Sequence, residues 1–446
     1  MGEKEIRGFP GGIHPTDGKD KTLTMRQPVR EYWPGSVTIL SEQSLNARCS
    51  FLVKPKDQVQ AGQLIGEPES FTAAPLHASV SGIVREIKKV KVQDKEVFAC
   101  VIERTGDPEE KSFLHEKEAV DISEFSEDLI IEGLLTGGLI GMGGAGFPVH
   151  RKYETKRRID TILINGAECE PFLTCDCRVM VEQGYGVING TRLMLKASGA
   201  DRAYICVEDN KPDAIKNLQK ILEEMKSQGF FEEEKPVQVK VLPTKYPQGG
   251  ERQLIESVLG REVPMGGLPA DVGVIVSNVG TAKAAADVVL GKKPLMSRIV
   301  TVTGNVKEPG NYLVPIGTSA RELIQLCGGV TTPSNRVIAG GPMTGPCTAV
   351  NWDGESELFY VTKSTSGILV LPDKNYEEMP CIRCGSCQRA CPVGLVPFQI
   401  DFAYLEEDYH LCEKLYASEC IACGCCSYVC PSRRELTMRT RSARDL

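Results

Sequence analysis

The sequence predicts a multidomain α+β chain: small β-rich units on either side of an α/β core, then a C-terminal helical segment bearing paired cysteine runs. Three observations predict it. At 446 residues the chain has room for roughly two to four domains of ordinary size. Between residues 159 and 295, strand-like segments repeatedly end in polar residues and run into glycine turns, the pattern of an α/β sheet. Ten of the 18 cysteines fall between Cys381 and Cys430.

Composition narrows the class. Charged residues make up 25% of the chain and apolar ones 41%, so ordinary cores can be buried. Gly (44) and Pro (27) are abundant, which suggests many turns and at least one backbone-lined ligand loop. The net charge of −7 argues against nucleic acid as a partner. The opening MGEKEIRGFPGG lacks the apolar stretch of a secretory signal. No uninterrupted apolar run reaches bilayer-spanning length, and the nearest candidate, LIIEGLLTGGLIGMGGAGFPV, is broken by Glu132 and by glycines. The expectation is a soluble or peripheral protein in a reducing compartment, with cysteines serving metal rather than disulfides.

Taken in chain order, residues 37 to 104 hold short β-branched runs separated by Gly and Asp turns, CSFLVKPKDQVQAGQLIGEP and APLHASVSGIVREIKKVKV, which read as a small β-sandwich. SEFSEDLIIEGLLTGG has helical periodicity with Ser126 as N-cap. It leads into GLIGMGGAGFPVHRKYE, where Gly141, Gly143 and Gly146 match GxGxxG. A dinucleotide fingerprint needs a strand before it and a helix directly after, whereas here a helix precedes and Pro148 follows. The bland alternative is a glycine-rich turn without a ligand. The glycines remain informative, because missing Cβ atoms let backbone amides approach a phosphate or a flat ring.

RIDTILINGAECEPFLTCD predicts a strand from Ile159 to Ile164 that ends in Asn165, with Glu168 and Glu170 beyond it. DVGVIVSNVGTAKAAADVVLG predicts another, ending in Ser277 and Asn278 before a helix. VQVKVLPTKYPQGGERQLIESVLG predicts a third, followed by a Gly249–Gly250 turn and a helix from near Glu251. Ligands of open α/β sheets bind outside the carboxyl ends of strands, so three such ends describe a nucleotide or flavin crevice. The competing fate of Glu168 and Glu170 is to be solvated loop charges. Further on, IVTVTGNVKEPGNYLVPIGTSARELIQLCGG reads as a hairpin and then a helix capped near Thr318 or Ser319, a β-grasp pattern.

The cysteine runs carry the sharpest chemistry. CIRCGSCQRACP supplies Cys381, Cys384, Cys387 and Cys391, and CIACGCCSYVCP supplies Cys420, Cys423, Cys426 and Cys430. CxxCxxCxxxCP is the bacterial iron–sulfur spacing, and thiolates are the soft ligands such cores prefer. In two-cluster proteins the fourth cysteine of each run normally serves the other cluster. The expected sets are therefore Cys381, Cys384, Cys387 and Cys430 for one 4Fe–4S cluster, and Cys420, Cys423, Cys426 and Cys391 for the other. Zinc is the rival, but its usual signature is two separated CxxC pairs. Cys425 could replace Cys426, although the matched spacing favours Cys426. VPFQIDFAYLEEDYHLCEKLYASE, between the runs, reads as a long helix with Cys412 in its core. The basic tail SRRELTMRTRSARDL is either solvated or in contact with a membrane partner.

GMGGAGFP, NGAECEP, YPQGGERQLI and SNVGT together resemble the flavin- and NADH-binding subunit of respiratory complex I. The opening GFPGGIHP, and the domain order with the double cluster module last, resemble RnfC, the C component of Rnf electron-transport complexes. The resemblance covers nearly the whole chain. It implies FMN contacts from Gly141, Gly143, Gly144, Ala145 and Gly146, from Asn165, Glu168 and Cys169, and from Gly250, Glu251 and Asn278. It implies NADH contacts from Phe147, Lys152 and Glu170. Complex I has Arg where Met142 stands, Asp where Ala167 stands and Ser where Cys169 stands, so fewer polar groups meet the flavin.

The resemblance also implies an architecture: an N-terminal arm (1–36), a lipoyl-like barrel-sandwich hybrid (37–110), an FMN/NADH-binding α/β domain (120–295), a soluble-ligand-binding β-grasp domain (298–372) and a helical ferredoxin domain with two 4Fe–4S clusters (373–446). The lipoyl-like unit has no lysine in ESFTAAPLHASVSG to carry a cofactor, so a docking or structural role is expected. The implied function is a peripheral subunit on the cytoplasmic side of the membrane. Its cofactors are FMN and two clusters, its substrate NAD(H), and its partners the other Rnf subunits, through one of which ferredoxin is reached. A flavin suits the task because nicotinamide exchanges two electrons as hydride and a cluster handles one. No residue is expected to act as a covalent nucleophile; catalysis is positioning. Two alternatives are a soluble flavin/iron–sulfur cobalamin reductase, which would begin near the flavin loop, and a non-catalytic assembly scaffold, against which eight intact cluster cysteines count.

Overall fold

The structure, a computed structural model, describes residues 8–15, 21–45, 47–92, 95–106, 118–144, 146–231, 236–333, 335–352, 354, 356–373 and 377–446. It is a mixed α+β architecture. At its centre a four-stranded, all-parallel sheet runs in the order Val237–Leu242, Arg202–Glu208, Thr161–Gly166, Val274–Asn278. Parallel strands are covered on both faces, and the sequence obeys this. Ile162, Ile164, Ile205 and Val207 pack under the helices Cys175–Glu182, Gly184–Ser198, Pro212–Ser227 and Val279–Val289. Leu163, Cys206, Val274 and Val276 face the helix Glu251–Leu259 through Leu254 and Ile255. The first strand expected, Ile159–Ile164, forms two residues later, so Asn165 and Gly166 still pair within the sheet.

Chain order makes the site. From Thr161–Gly166 the chain builds outward to one side through Arg202–Glu208 and Val237–Leu242, then returns to place Val274–Asn278 on the other side. The switch point lies between Thr161–Gly166 and Val274–Asn278, and a crevice opens outside the carboxyl ends of such a pair.

Residues 36 to 104 form two four-stranded antiparallel sheets around Val37, Ile39, Ile65, Leu76, Val84 and Ile102. Their long hairpin, Gly82–Val92 with Lys95–Arg104, extends past that core until Val90 and Val92 meet Tyr360. A six-stranded sheet holds Ser297–Gly304, Gly310–Pro315, Asn335–Ala339, Cys347–Trp352 and Gly367–Pro372. Its edge is completed by Arg30–Glu31, paired in parallel with Tyr312 and Leu313. Ser319 is the N-cap of the helix Ala320–Leu326, accepting from the Glu322 amide at 3.3 Å.

In the C-terminal segment the single long helix expected between the cysteine runs is broken into Pro397–Leu405 and Tyr409–Lys414. Glu407 takes a left-handed φ of 58°, and the Asp408 side chain caps the second helix through the Leu411 amide at 3.0 Å. An Asp offering its carboxylate to a new helix start competes with continuation of the old one. Cys412 is buried as expected. The basic tail is a structural helix, Leu436–Arg444; Arg434 and Arg439 both bind the fully buried Asp401, at 2.8 and 3.0 Å. Among the described residues no helix is long and apolar enough to cross a membrane.

Candidate functional site

Asn165 and Asn278 face each other as the last register pair of their strands. Asn165 donates to the Gly249 carbonyl at 2.8 Å and accepts from the Ala167 amide at 3.1 Å. Asn278 caps its helix by accepting from the Gly280 amide at 2.7 Å, and donates to the Asp176 carboxylate at 2.7 Å. The glycine loop lies over this pair. A Cβ on Gly143 would fall 2.9 Å from the Asn278 side chain, so the loop reaches the strand end only because that atom is missing.

The turn from residue 167 to 173 is held by cations from far away. Lys21 is buried and donates to the carbonyls of Glu168 (2.8 Å), Glu170 (2.8 Å) and Leu173 (2.6 Å). Lys211 donates to the Ala167 carbonyl at 2.5 Å and pairs with Glu208 at 3.2 Å. Glu168 and Phe172 are left-handed, with φ of 47° and 68°. The Glu168 carboxylate accepts from the Asp176 amide at 2.7 Å and the Cys177 amide at 3.2 Å, at the start of the helix Cys175–Glu182. Burial nonetheless pushes its pKa up to about 7, with Lys21 and Lys211 pulling it down and Asp176 adding to the rise. Burial also raises Asp176 and Glu170.

These groups open on a cavity of about 630 Å³. It brings together Gly143, Gly144, Asn165, Glu168, Cys169, Glu170 and Asn278. Gly141, Gly146, Phe147, Lys152, Gly250 and Glu251 do not line it, and Ala145 lies outside the described residues. Gly141 closes the glycine loop by donating to the Phe147 carbonyl at 2.8 Å. Lys152 donates to the Val276 carbonyl at 2.7 Å and stands 3.8 Å from the Glu251 carboxylate, between the starts of the helices Glu251–Leu259 and Val279–Val289. Glu170 turns away from the strand ends, accepting from the Met343 amide at 3.0 Å and the Thr344 hydroxyl at 2.5 Å. A Cβ on Gly341 would sit 2.3 Å from that carboxylate, so the turn seats only as glycine.

Sequence reasoning missed the remaining walls. Thr344, Thr362, Ser364 and Ser366 of the six-stranded unit line the cavity, as do Leu40 and Val92 of the sandwich unit. The signal available was the small-residue content of GGPMTG and TKSTSG. Lys21 and Lys211 had no local signal.

The cysteines gather in two small cavities. One is lined by Cys381, Cys384, Cys387 and Cys430 beside Phe398 and Leu436. The other is lined by Cys391, Cys420, Cys423 and Cys426, with Cys425 as well. The two runs repeat one conformation. Arg383 and Ala422 are both left-handed, each donating its amide to the sulfur of the cysteine two residues before it, at 3.4 and 3.3 Å. The second cavity abuts the crevice: Cys169, Tyr246, Met343, Cys423 and Cys425 share one apolar cluster, and the Tyr246 hydroxyl donates to the Cys423 carbonyl at 2.6 Å. The first faces outward through the exposed Cys384.

Family models match almost end to end. Residues 7–107 match the RnfC barrel sandwich hybrid domain, 135–287 the Nuo51 FMN-binding domain, 299–346 the SLBB domain and 373–431 the 4Fe-4S dicluster domain. The C component of the proton-translocating ferredoxin:NAD(+) oxidoreductase complex of Clostridium ljungdahlii is 38% identical over 422 residues, covering 92% of this chain and 87% of that protein. The chain belongs to the RnfC family. A second relative, the C component of the Na(+)-translocating ferredoxin:NAD(+) oxidoreductase complex of Acetobacterium woodii, is 38% identical, covering 88% of this chain and 86% of its own length. The solved structure of an NAD+-reducing [NiFe]-hydrogenase in its H2-reduced state superposes with a TM-score of 0.52 at 20% identity, over 71% of this chain and 60% of that one, a likeness of fold alone. In this RnfC family chain the switch-point crevice therefore belongs to an FMN-binding domain, and the paired cysteine cavities to a 4Fe–4S dicluster domain.

Proposed function

We propose that the chain is the NAD(H)-reacting subunit of a membrane-bound, ion-translocating ferredoxin:NAD+ oxidoreductase. Its partners are the other subunits of that complex, one of which gives access to ferredoxin, and it sits peripherally on the cytoplasmic side. Its units are those the sequence suggested: arm, barrel-sandwich hybrid, FMN domain, β-grasp domain and two-cluster ferredoxin module.

The residues fit the cofactors. Two helix starts, at Gly250–Glu251 and Asn278–Val279, converge with Lys152 beside the strand ends, which is the donor set an anionic phosphate needs. The Gly143–Gly144 turn offers backbone without side chains where a flat ring would lie. One cysteine cavity has four thiols and the other five, Cys425 being the extra one; a cubane needs four, and the two sets support a crossed assignment in which Cys391 and Cys430 each serve the other run's cluster. Bound FMN supplies the exchange between a hydride pair and single electrons, and the clusters carry one electron each. The protein's own work is to hold and to exclude. Lys21 and Lys211 fix the 167–173 turn, Asn165 and Asn278 set the strand ends, and Tyr246 and Met343 pack in one apolar cluster with Cys169 and the Cys423 loop.

The observation that carries this reading is that last contact. A crevice for a two-electron reagent and a cavity for a one-electron centre share a wall within one chain. An anaerobic NADH titration of the FMN- and cluster-loaded protein should bleach the flavin and reduce the clusters together; a loaded protein that stays oxidised defeats the reading. The N-terminal unit built into the crevice favours it over a cobalamin reductase, and the paired cysteine cavities favour it over a scaffold.

A further inference from the structure

The opening motif GFPGGIHP supplies no cysteine, and its residues line neither the crevice nor a cysteine cavity. Residues 9–13 nevertheless run between the two. Ile13 and Tyr246 exchange both backbone hydrogen bonds, at 2.8 and 2.9 Å, and Lys245 donates to the Phe9 carbonyl at 2.7 Å. On the other side the Gly12 amide donates to the Ala390 carbonyl at 3.0 Å, one residue before Cys391. Two left-handed glycines make the fit. A Cβ on Gly11 would fall 2.4 Å from the Cys391 carbonyl oxygen, and one on Gly12 would fall 2.7 Å from that of Tyr246. The Ile13 side chain is buried in one apolar cluster with Tyr246, Ala390 and Cys425.

The two cysteine runs share a conformation, so any difference in their exposure comes from what packs on them. Gly385 and Gly424 are equivalent left-handed positions, with φ of 73° and 85°. The residue after each has a different fate. Ser386 accepts from the Cys384 thiol at 3.4 Å and from the Arg389 guanidinium at 3.1 Å, beside the exposed sulfur of Cys384. Cys425 is buried against Ile13 and Tyr246, and none of the cysteines of its cavity is exposed. Residues 9–13 thus lie one layer outside the crevice-side cavity and cover it at Cys391 and Cys425, while the outer cavity stays open at Cys384.

A cubane held by thiolates is more negative when reduced than when oxidised, and apolar burial disfavours the more highly charged form. Cluster potentials accordingly follow solvent exposure and the apolar shell around the sulfurs. We infer that residues 9–13 are a strap that keeps water from the crevice-side cluster, through Ile13, and so holds the reduction potential of that cluster down without acting on the outer one. This rests on the reading that the two cavities hold clusters. The driving force for moving an electron between flavin and clusters is then set in part by the arm, outside both the flavin domain and the cluster module.

The test is an anaerobic redox titration of the loaded protein followed by electron paramagnetic resonance, which reads each cluster and needs no turnover. The crevice-side signal is the one missing from Cys420→Ala. Ile13→Ser should raise the reduced-to-oxidised ratio of that cluster about tenfold at a fixed poise, a positive shift of about 59 mV for one electron. Gly11→Ala, which pushes the strap off the Cys391 carbonyl, should shift it the same way, and Ile13→Val should keep the wild-type value. The outer cluster should keep its potential in all three, with about eight irons per chain, which also shows that each variant folds. A crevice-side potential that is unchanged or lowered in Ile13→Ser overturns the inference, as does an equal shift of both clusters. Loss of the crevice-side irons overturns it too, since the strap would then retain the cluster rather than poise it. A wild type that shows no cluster signal is a different failure and overturns the cluster reading itself.

Discussion

Glu168 sits where two demands conflict. Two helix-start amides favour its charge, yet burial outweighs them and pushes its pKa from the ordinary 4.5 up to about 7. A carboxyl with a raised folded pKa binds more protons in the native state than in the unfolded chain between those two values. Stability is therefore lost as pH rises from about 4.5 to about 7, and the loss from this group is complete above that; Asp176 and Glu170, also raised by burial, add slope of the same sign. Glu168→Gln removes the charge while losing one hydrogen bond. It should stabilise the flavin-free protein by about 2 kcal/mol at pH 8 and by almost nothing at pH 5, read by denaturant unfolding at both. An equal effect at the two pH values would show that burial does not control this group. Glu168 and its neighbours at the strand ends were legible in the sequence, because a polar residue after an apolar β run marks a strand's carboxyl end. The destination of each side chain was not: Glu170 turned to a loop 173 residues away.

At the scale of elements, the N-terminal arm is the surprise. From sequence it is an arm, residues 1–36, with no role assigned; in the structure Lys21 donates to three carbonyls of the 167–173 turn, and Arg30–Glu31 adds an edge to the six-stranded sheet. The turn that carries Ala167 and Cys169 is thus held through its carbonyls by two buried ammonium groups, Lys21 and Lys211. Lys21→Met should cost about 2–4 kcal/mol, since three carbonyls lose a charged donor, and should weaken FMN binding in a fluorescence titration while leaving the iron content unchanged. Unchanged FMN affinity would confine Lys21 to stability. Elements set by local rules were readable: the helix capped by Ser126, the helix from Glu251 and the hydroxyl cap at Ser319 all form. The strand Arg202–Glu208, central to the parallel sheet, was passed over because its burial comes from neighbours on both sides and leaves no alternating pattern. The break at Glu407 was hidden for the opposite reason, since apolar periodicity runs straight through a local cap.

At the scale of the molecule, the units are fastened where the crevice is. Lys363 donates to Pro75 of the sandwich at 2.6 Å and to Gly138 before the glycine loop at 2.7 Å, and Gly12 of the arm donates to Ala390 between the cysteine runs at 3.0 Å. That fastening gives the two cysteine cavities different neighbours, one against the crevice and one outward, and so gives the crossed ligand sets a consequence. If Cys391 serves the crevice-side cluster and Cys430 the outer one, deleting the fourth cysteine of a run should empty the cavity of the other run. Cys391→Ala and Cys430→Ala should each hold about four irons where the wild type holds about eight. They should differ in what NADH can reach. Under anaerobic NADH, Cys430→Ala should still show a reduced cluster by electron paramagnetic resonance. Cys391→Ala should bleach its flavin and leave the remaining, outer cluster oxidised. An uncrossed arrangement predicts the reverse pairing, with Cys391→Ala losing the same signal as Cys381→Ala, so one pair of spectra decides between them.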